Sequence, residues 1–152
     1  MDTTTSIRDL PERTCGIRAA LDVVGDRWTL LIVREVLFSN RRFSGIADRI
    51  GVPRDRLAAR LKLLVETGVL EQREYQTAPP RSEYHLTESG RGLAPVLATL
   101  FEWGKRWGHV SDDGIELRHH DHEAQPALMC EICGEPVHAD DLSRREVAVG
   151  KD

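Results

Sequence analysis

The sequence predicts a mainly α fold with a small β-hairpin wing, an α+β class, followed by a short Cys/His-containing tail. Three observations predict it. Apolar residues recur at helical spacing from residue 15 to residue 67, with turn residues between the segments. Two alternating stretches after Gly68 flank a Pro-Pro pair. Past residue 110 the pattern becomes polar, acidic and His-rich.

The first helix is expected over residues 15–24, with Ile17, Ala20, Leu21 and Val24 on one face. Gly25-Asp26 interrupts it, and Asp26 is a good N-cap. The second helix runs from Arg27 to Leu37 and is apolar almost all round, so it should be buried. After the turn Ser39-Asn40-Arg41-Arg42, a third helix starts at Phe43 with Ser44 as candidate cap and Gly51 as C′ residue. Pro53 sits where a fourth helix can start without losing a hydrogen bond. That helix runs to about Thr67, burying Leu57, Leu61, Leu64 and Val65 and presenting Arg56, Ala59, Arg60 and Leu63 on the other side. Strands follow over 69–75 and 82–86. Pro79-Pro80 favours an extended, stiff loop between them over a tight two-residue turn. Thr87 then caps a last helix, in whose first turn Pro95 must lie unless it kinks the helix. Its apolar stripe is Leu93, Val96, Leu97, Leu100, Trp103 and Trp107, wide enough to suggest an interface between two copies. Two regions follow: residues 1–110 as a DNA-binding and dimerisation domain, and residues 111–152 as an acidic extension.

At 152 residues, 40% apolar and 30% charged, the chain can bury one ordinary core. No run approaches the ~18–20 apolar residues of a membrane helix. The opening Met1-Asp2-Thr3-Thr4-Thr5 lacks an apolar signal region, and three cysteines argue against a disulfide framework. The expectation is a soluble cytoplasmic protein without a membrane partner. The net charge of −4 hides an asymmetry. Residues 27–91 carry twelve Lys/Arg against eight Asp/Glu, whereas residues 111–152 carry four against eleven. A basic middle beside an acidic tail fits a polyanion-binding module with an appendage.

A helix–turn–helix followed by a hairpin can present its second helix to the DNA major groove, with the hairpin as a wing. Arginine forks can pair with guanine edges or phosphate oxygens, and a lysine neutralises as a point charge. Arg54 and Arg56, in the first turns of the fourth helix, are candidate base readers, and Ala59 lies on the same ridge. Arg60 and Lys62 are candidate phosphate contacts, and Asp55 would cap and orient Arg56. Arg73 and Arg81 flank the wing loop. Taken singly, each basic residue reads equally as a solvated face or a salt bridge; their combined placement favours double-stranded DNA.

These residues carry a resemblance. Cys15, Gly25-Asp26-Arg27-Trp28-Thr29-Leu30-Leu31-Ile32, Arg42-Phe43 and the run Leu57–Leu70 are its first part. Pro79-Pro80-Arg81-Ser82-Glu83-Tyr84-His85-Leu86-Thr87-Glu88-Ser89-Gly90, Pro95-Val96-Leu97 and Trp103-Gly104 complete it. Over residues 15–104 the chain resembles the HxlR-type winged helix-turn-helix transcriptional regulators, which are related to the MarR regulators. The resemblance implies a homodimer on a near-palindromic operator, usually a repressor and sometimes an activator. It also implies dimerisation through the N-terminal segment and the last helix. The start Pro53-Arg54-Asp55 departs from the Ser-containing starts common in that family, so base preference does not transfer.

Cys15 matches a position where many such regulators carry a cysteine, which in some senses oxidants or electrophiles. Arg13, Arg18 and a helix N-terminus would favour its thiolate. The alternative is a small apolar side chain at a dimer contact. In the tail, Cys130-Glu131-Ile132-Cys133-Gly134 has the spacing of a zinc knuckle, resembling half a zinc ribbon. His119 and His122 are the candidate completing ligands for a structural zinc, with His120 and His138 in reserve. A metal-free hairpin, a thiol redox pair and a partly ordered tail are the alternatives. No Ser–His–acid, paired-carboxylate or phosphate-loop pattern supports an enzyme. The rival reading is a protein-interaction adaptor with a zinc-binding tail.

Overall fold

Leu57, Leu61 and Leu64 recur at helical spacing, and in the computed structural model of the chain each is at most 1% exposed. The structure describes residues 15–108 and 114–143, in two units, one up to Leu97 and one from Ala98 onward. The boundary expected near residue 110 lies outside the described residues.

In the first unit, helices α1 (Gly16–Val24), α2 (Thr29–Leu37), α3 (Phe43–Ile50) and α4 (Arg54–Glu66) precede a hairpin of β1 (Leu70–Thr77) and β2 (Pro80–Leu86). The core joins Ile32, Val33 and Val36 of α2, Ile46 of α3, the three leucines of α4, and Leu70. At roughly 1.5–3 kcal/mol for each side chain buried, this cluster is the main source of cohesion.

Local chemistry sets the borders. Asp26 Oδ1 accepts the Trp28 N–H at 2.9 Å, so one turn forms first and α2 begins at Thr29, two residues later than the pattern predicts. At α3 the N-cap is Arg42, in extended backbone and without a side-chain cap bond; Ser44, the expected cap, lies inside the helix. Gly51 ends α3 in the left-handed conformation, as expected, and Pro53 is the N-cap of α4 rather than its first residue. Between α2 and α3, the buried Glu35 carboxylate accepts from Arg34 Nη2 at 2.7 Å and Asn40 Nδ2 at 2.9 Å. Both its oxygens are therefore satisfied, as a buried charge requires.

The wing corrects the sequence reading. Thr77 pairs with Pro80 and Gln76 with Arg81, so the strands close over a two-residue turn, Ala78-Pro79, instead of a long stiff loop. The Ala78–Pro79 peptide is cis. The register shifts between Glu74 and Gln76, leaving a bulge at Tyr75.

Thr87 caps not the last long helix but a short one, α5 (Glu88–Arg91). Its Oγ1 accepts the Gly90 N–H at 3.2 Å and donates to the Gly68 carbonyl at 2.5 Å, tying the end of the wing to the end of α4. The chain restarts as α6 (Ala94–Trp107) with Pro95 in its first turn. Leu93 and Leu97 pack on the core, whereas Val96, Leu100, Trp103 and Trp107 are exposed, both tryptophans at 61%. In α1 it is Val23 that meets the core; Ile17 and Leu21 of the expected apolar face are exposed.

In the second unit, Lys105 of α6 lies 3.4 Å from Glu123. Two short antiparallel pieces, β3 (Arg118–His119) and β4 (His122–Glu123), form a hairpin, and a bridge pairs Met129 with Pro136 around the cysteine-containing turn.

Gly90 tests the junction. A Cβ there would stand 2.2 Å from the Val69 carbonyl oxygen, a backbone atom that cannot step aside. Gly90→Ala is expected to lower unfolding free energy by about 1–3 kcal/mol, measured by urea denaturation. An unchanged midpoint would show that wing and α5 shift freely.

Candidate nucleic-acid interface

Sealing Leu57, Leu61 and Leu64 into the core turns the rest of α4 outward. Arg54, Asp55, Arg56, Ala59 and Lys62 are all exposed. The Arg54 guanidinium lies 5.7 Å from the Phe43 ring centroid, so it is held by the first residue of α3. Arg56 has no ion-pair partner among the described residues. Lys62 sits 3.7 Å from Glu66 in an exposed i,i+4 pair, an interaction that a phosphate can readily replace.

Arg60 is half-buried. Its Nε is buried and lies 3.7 Å from Asp26 Oδ1, so this side chain braces α4 against the turn before α2. It lies on the flank of the helix, not on the outward ridge with Arg56.

On the wing, Arg81 has no ion-pair partner among the described residues, and Arg73 is paired with Glu71. Sequence reasoning missed Arg42. Its guanidinium lies 4.7 Å from the Tyr75 ring centroid, and its Nε donates to Glu83 Oε1 at 3.1 Å. The neighbouring Tyr84 N–H donates to the Arg41 carbonyl at 2.8 Å. These bonds fix β2 to the start of α3, where Asn40, Arg41, Arg42, Ser44 and Glu83 border an open polar groove. The only sequence signal was the Arg41-Arg42 pair within a turn. Half-burial against the core pushes the Tyr84 phenol above its ordinary range. The unit thus offers a helix with outward cations beside a wing of fixed orientation, the arrangement that fits a DNA groove and its flanking phosphates.

The cysteines fall in two places. Cys15 is exposed and is the N-cap residue of α1. Cys130 and Cys133 bracket a tight turn in which the Gly134 N–H donates to the Cys130 carbonyl at 2.7 Å and Gly134 adopts φ +74°. Backbone N–H groups of Cys133 and Ile132, then the Cys133 side chain, hydrogen-bond to the Cys130 sulfur and lower its pKa. His119 and His122 face each other on the β3–β4 hairpin, ring centroids 5.5 Å apart. Among the described residues no three His, Cys, Asp or Glu side chains cluster as metal ligands. The structure therefore does not bring Cys130, Cys133, His119 and His122 together as one site. No helix among the described residues is long and apolar enough to cross a membrane.

A model of the HxlR-like helix-turn-helix family matches residues 23–112. An uncharacterized HTH-type transcriptional regulator of Mycobacterium tuberculosis is 42% identical over 139 residues, covering 88% of each chain. The crystal structure of PA1607, provisionally called a transcription factor, superposes with a TM-score of 0.79 at 30% identity, over 90% of this chain and 97% of that one. The redox regulator HypR in its reduced form superposes with a TM-score of 0.55 at 28% identity, over 62% of this chain and 95% of that one.

Two arginines separate support from display. Arg42→Ala should cost about 0.5–1 kcal/mol of folding stability, because it removes a stacked and hydrogen-bonded contact. Arg56→Ala should change it by less than about 0.5 kcal/mol. Paired urea titrations check both, and equal losses would contradict the assignment.

Proposed function

The chain belongs to the HxlR-like helix-turn-helix family of transcriptional regulators, and from that premise we propose that it acts as a homodimeric repressor on a near-palindromic operator. The observation that carries the DNA reading is the outward face of α4, where Arg54, Arg56 and Lys62 stand exposed beside the wing. Arg54 and Arg56 occupy the first turn, which enters the groove, and take the base-reading role. Lys62, Arg73 and Arg81 take phosphates. Arg42 holds the wing at the angle that lets Arg81 reach the backbone.

The homodimer reading is supported by apolar surface that a lone chain leaves in water. Ile17 and Leu21 of α1, and Val96, Leu100, Trp103 and Trp107 of α6, are all exposed. Aromatic anchors of this kind are the usual centre of a stable interface.

A specific observation favours thiol control. Cys15 is exposed at the N-terminus of α1. The structural likeness to a redox regulator adds to this. Oxidation by a hydroperoxide at a helix that carries apolar interface residues would alter the dimer and so release DNA.

Fluorescence anisotropy on duplex DNA from upstream of the chain's own gene, beside a scrambled duplex, tests the reading. Binding should prefer the first duplex and weaken about 10³-fold or more between roughly 50 and 200 mM salt. Arg56→Ala should cost about 1–3 kcal/mol on the preferred duplex only, and Lys62→Ala should weaken both duplexes and lower the salt slope by about one. Equal, weak binding to both would reject the regulator site and advance the protein-adaptor reading. On a promoter carrying the preferred duplex, the protein should lower transcription in vitro; a rise would make it an activator. With Cys15→Ser, hydroperoxide should no longer release the DNA; continued release would remove Cys15 from the signal.

A further inference from the structure

We propose that the Cys130/Cys133 turn is half of a zinc site completed by the same turn of a second copy of this chain, giving one metal held by four thiolates. Three observations carry this.

The turn has the form of a metal-binding knuckle. Two cysteines three residues apart are folded back by the Gly134 N–H to Cys130 carbonyl bond at 2.7 Å, and by the Cys130 N–H to Glu135 carbonyl bond at 2.9 Å. Gly134, at φ +74°, takes a conformation that a side chain would strain.

Among the described residues the site is incomplete. A structural zinc takes four ligands, and among the described residues no third His, Cys, Asp or Glu joins the pair. His119 and His122 are drawn to each other on their own hairpin instead. A second knuckle supplies what is missing, two further thiolates in the same geometry.

The surface around the pair is shaped for cover. Ile132, between the two cysteines, is 97% exposed, and Leu128 and Met129 beside it are also exposed. An isoleucine held fully in water at the tip of an otherwise polar turn gains by facing its own copy across the metal. The tail is strongly acidic, so two tails repel, and the sulfur–metal bonds together with the apolar cover must outweigh that repulsion. Binding transfers no electrons. Each thiol gives up its proton to solvent and forms one sulfur–metal bond.

The test is cobalt titration of the reduced full-length protein in the absence of oxygen, read by thiolate-to-cobalt charge-transfer absorption. The expected endpoint is one cobalt per two chains, with the intensity per metal of four thiolates. His119→Ala together with His122→Ala should leave the signal intact. Cys130→Ser or Cys133→Ser should abolish it while far-ultraviolet circular dichroism is unchanged. An endpoint of one cobalt per chain, loss of signal in the double histidine variant, or no charge-transfer band with the natural chain would each overturn the proposal. DNA binding is read separately on the same samples, so failure here is distinguishable from failure of the regulator reading.

Discussion

Burial of Leu57, Leu61 and Leu64 is the constraint from which the arrangement of the first unit follows. These side chains fill the space between Ile32, Val33 and Val36 on one side and Ile46 on another. A helix has only one rotation about its axis that seals such a stripe. Once it is sealed, the positions of Arg56, Ala59 and Lys62 are no longer free choices. The wing inherits the same constraint. Leu70 belongs to this core, and Thr87 bonds to the Gly68 carbonyl just past the end of α4. The hairpin therefore starts and finishes at the end of the display helix, and its direction is set there.

Much of this was legible in the sequence, because it depends on periodicity and on residues with strong backbone preferences. The leucine stripe of α4, the stop at Gly51 and the turn at Gly68 are local properties. What was not legible depends on partners far away in the chain. Arg60 looked like part of the outward ridge because Arg56, Arg60 and Leu63 share a helical spacing. Four residues at 100° each place it only about 40° from Leu64 around the helix, within reach of Asp26. No periodicity announces that partner. Arg42 is a similar case. A turn arginine becomes a brace only because a bulge turns Tyr75 toward it and β2 brings Glu83 alongside. The wing turn failed for a different reason. Proline rigidity was read as the stiffness of an extended loop, although a fixed φ suits a tight turn as well.

The ion pairs change the meaning of the basic middle segment. Arg34, Arg42, Arg60 and Arg73 each have a carboxylate beside them within the unit. Their charges are largely occupied in holding elements together, and a phosphate must compete for them. The cations left to solvent are fewer and better placed, with Arg56 on the display helix and Arg81 on the wing. Long-range attraction to DNA depends on the net charge of the segment, while close contacts depend on which guanidinium groups are unoccupied. The structure separates these two roles among residues that composition counts alike.

The acidic extension follows a different logic. The family match ends at residue 112, well before the knuckle. The knuckle lies outside the part that the family model describes, and its features need their own physical account. A turn that sets two cysteines three residues apart and leaves an isoleucine almost wholly in water is poorly explained as a solubilising tail. It is well explained as one side of a contact. In an extension with eleven carboxylates against four basic residues, hydrophobic cover alone works against strong repulsion between copies. The sulfur–metal bonds must outweigh it, because a divalent cation held by four thiolates leaves the site with a net negative charge. Thiolate ligation and apolar cover then act at the same place, and each makes the other more favourable.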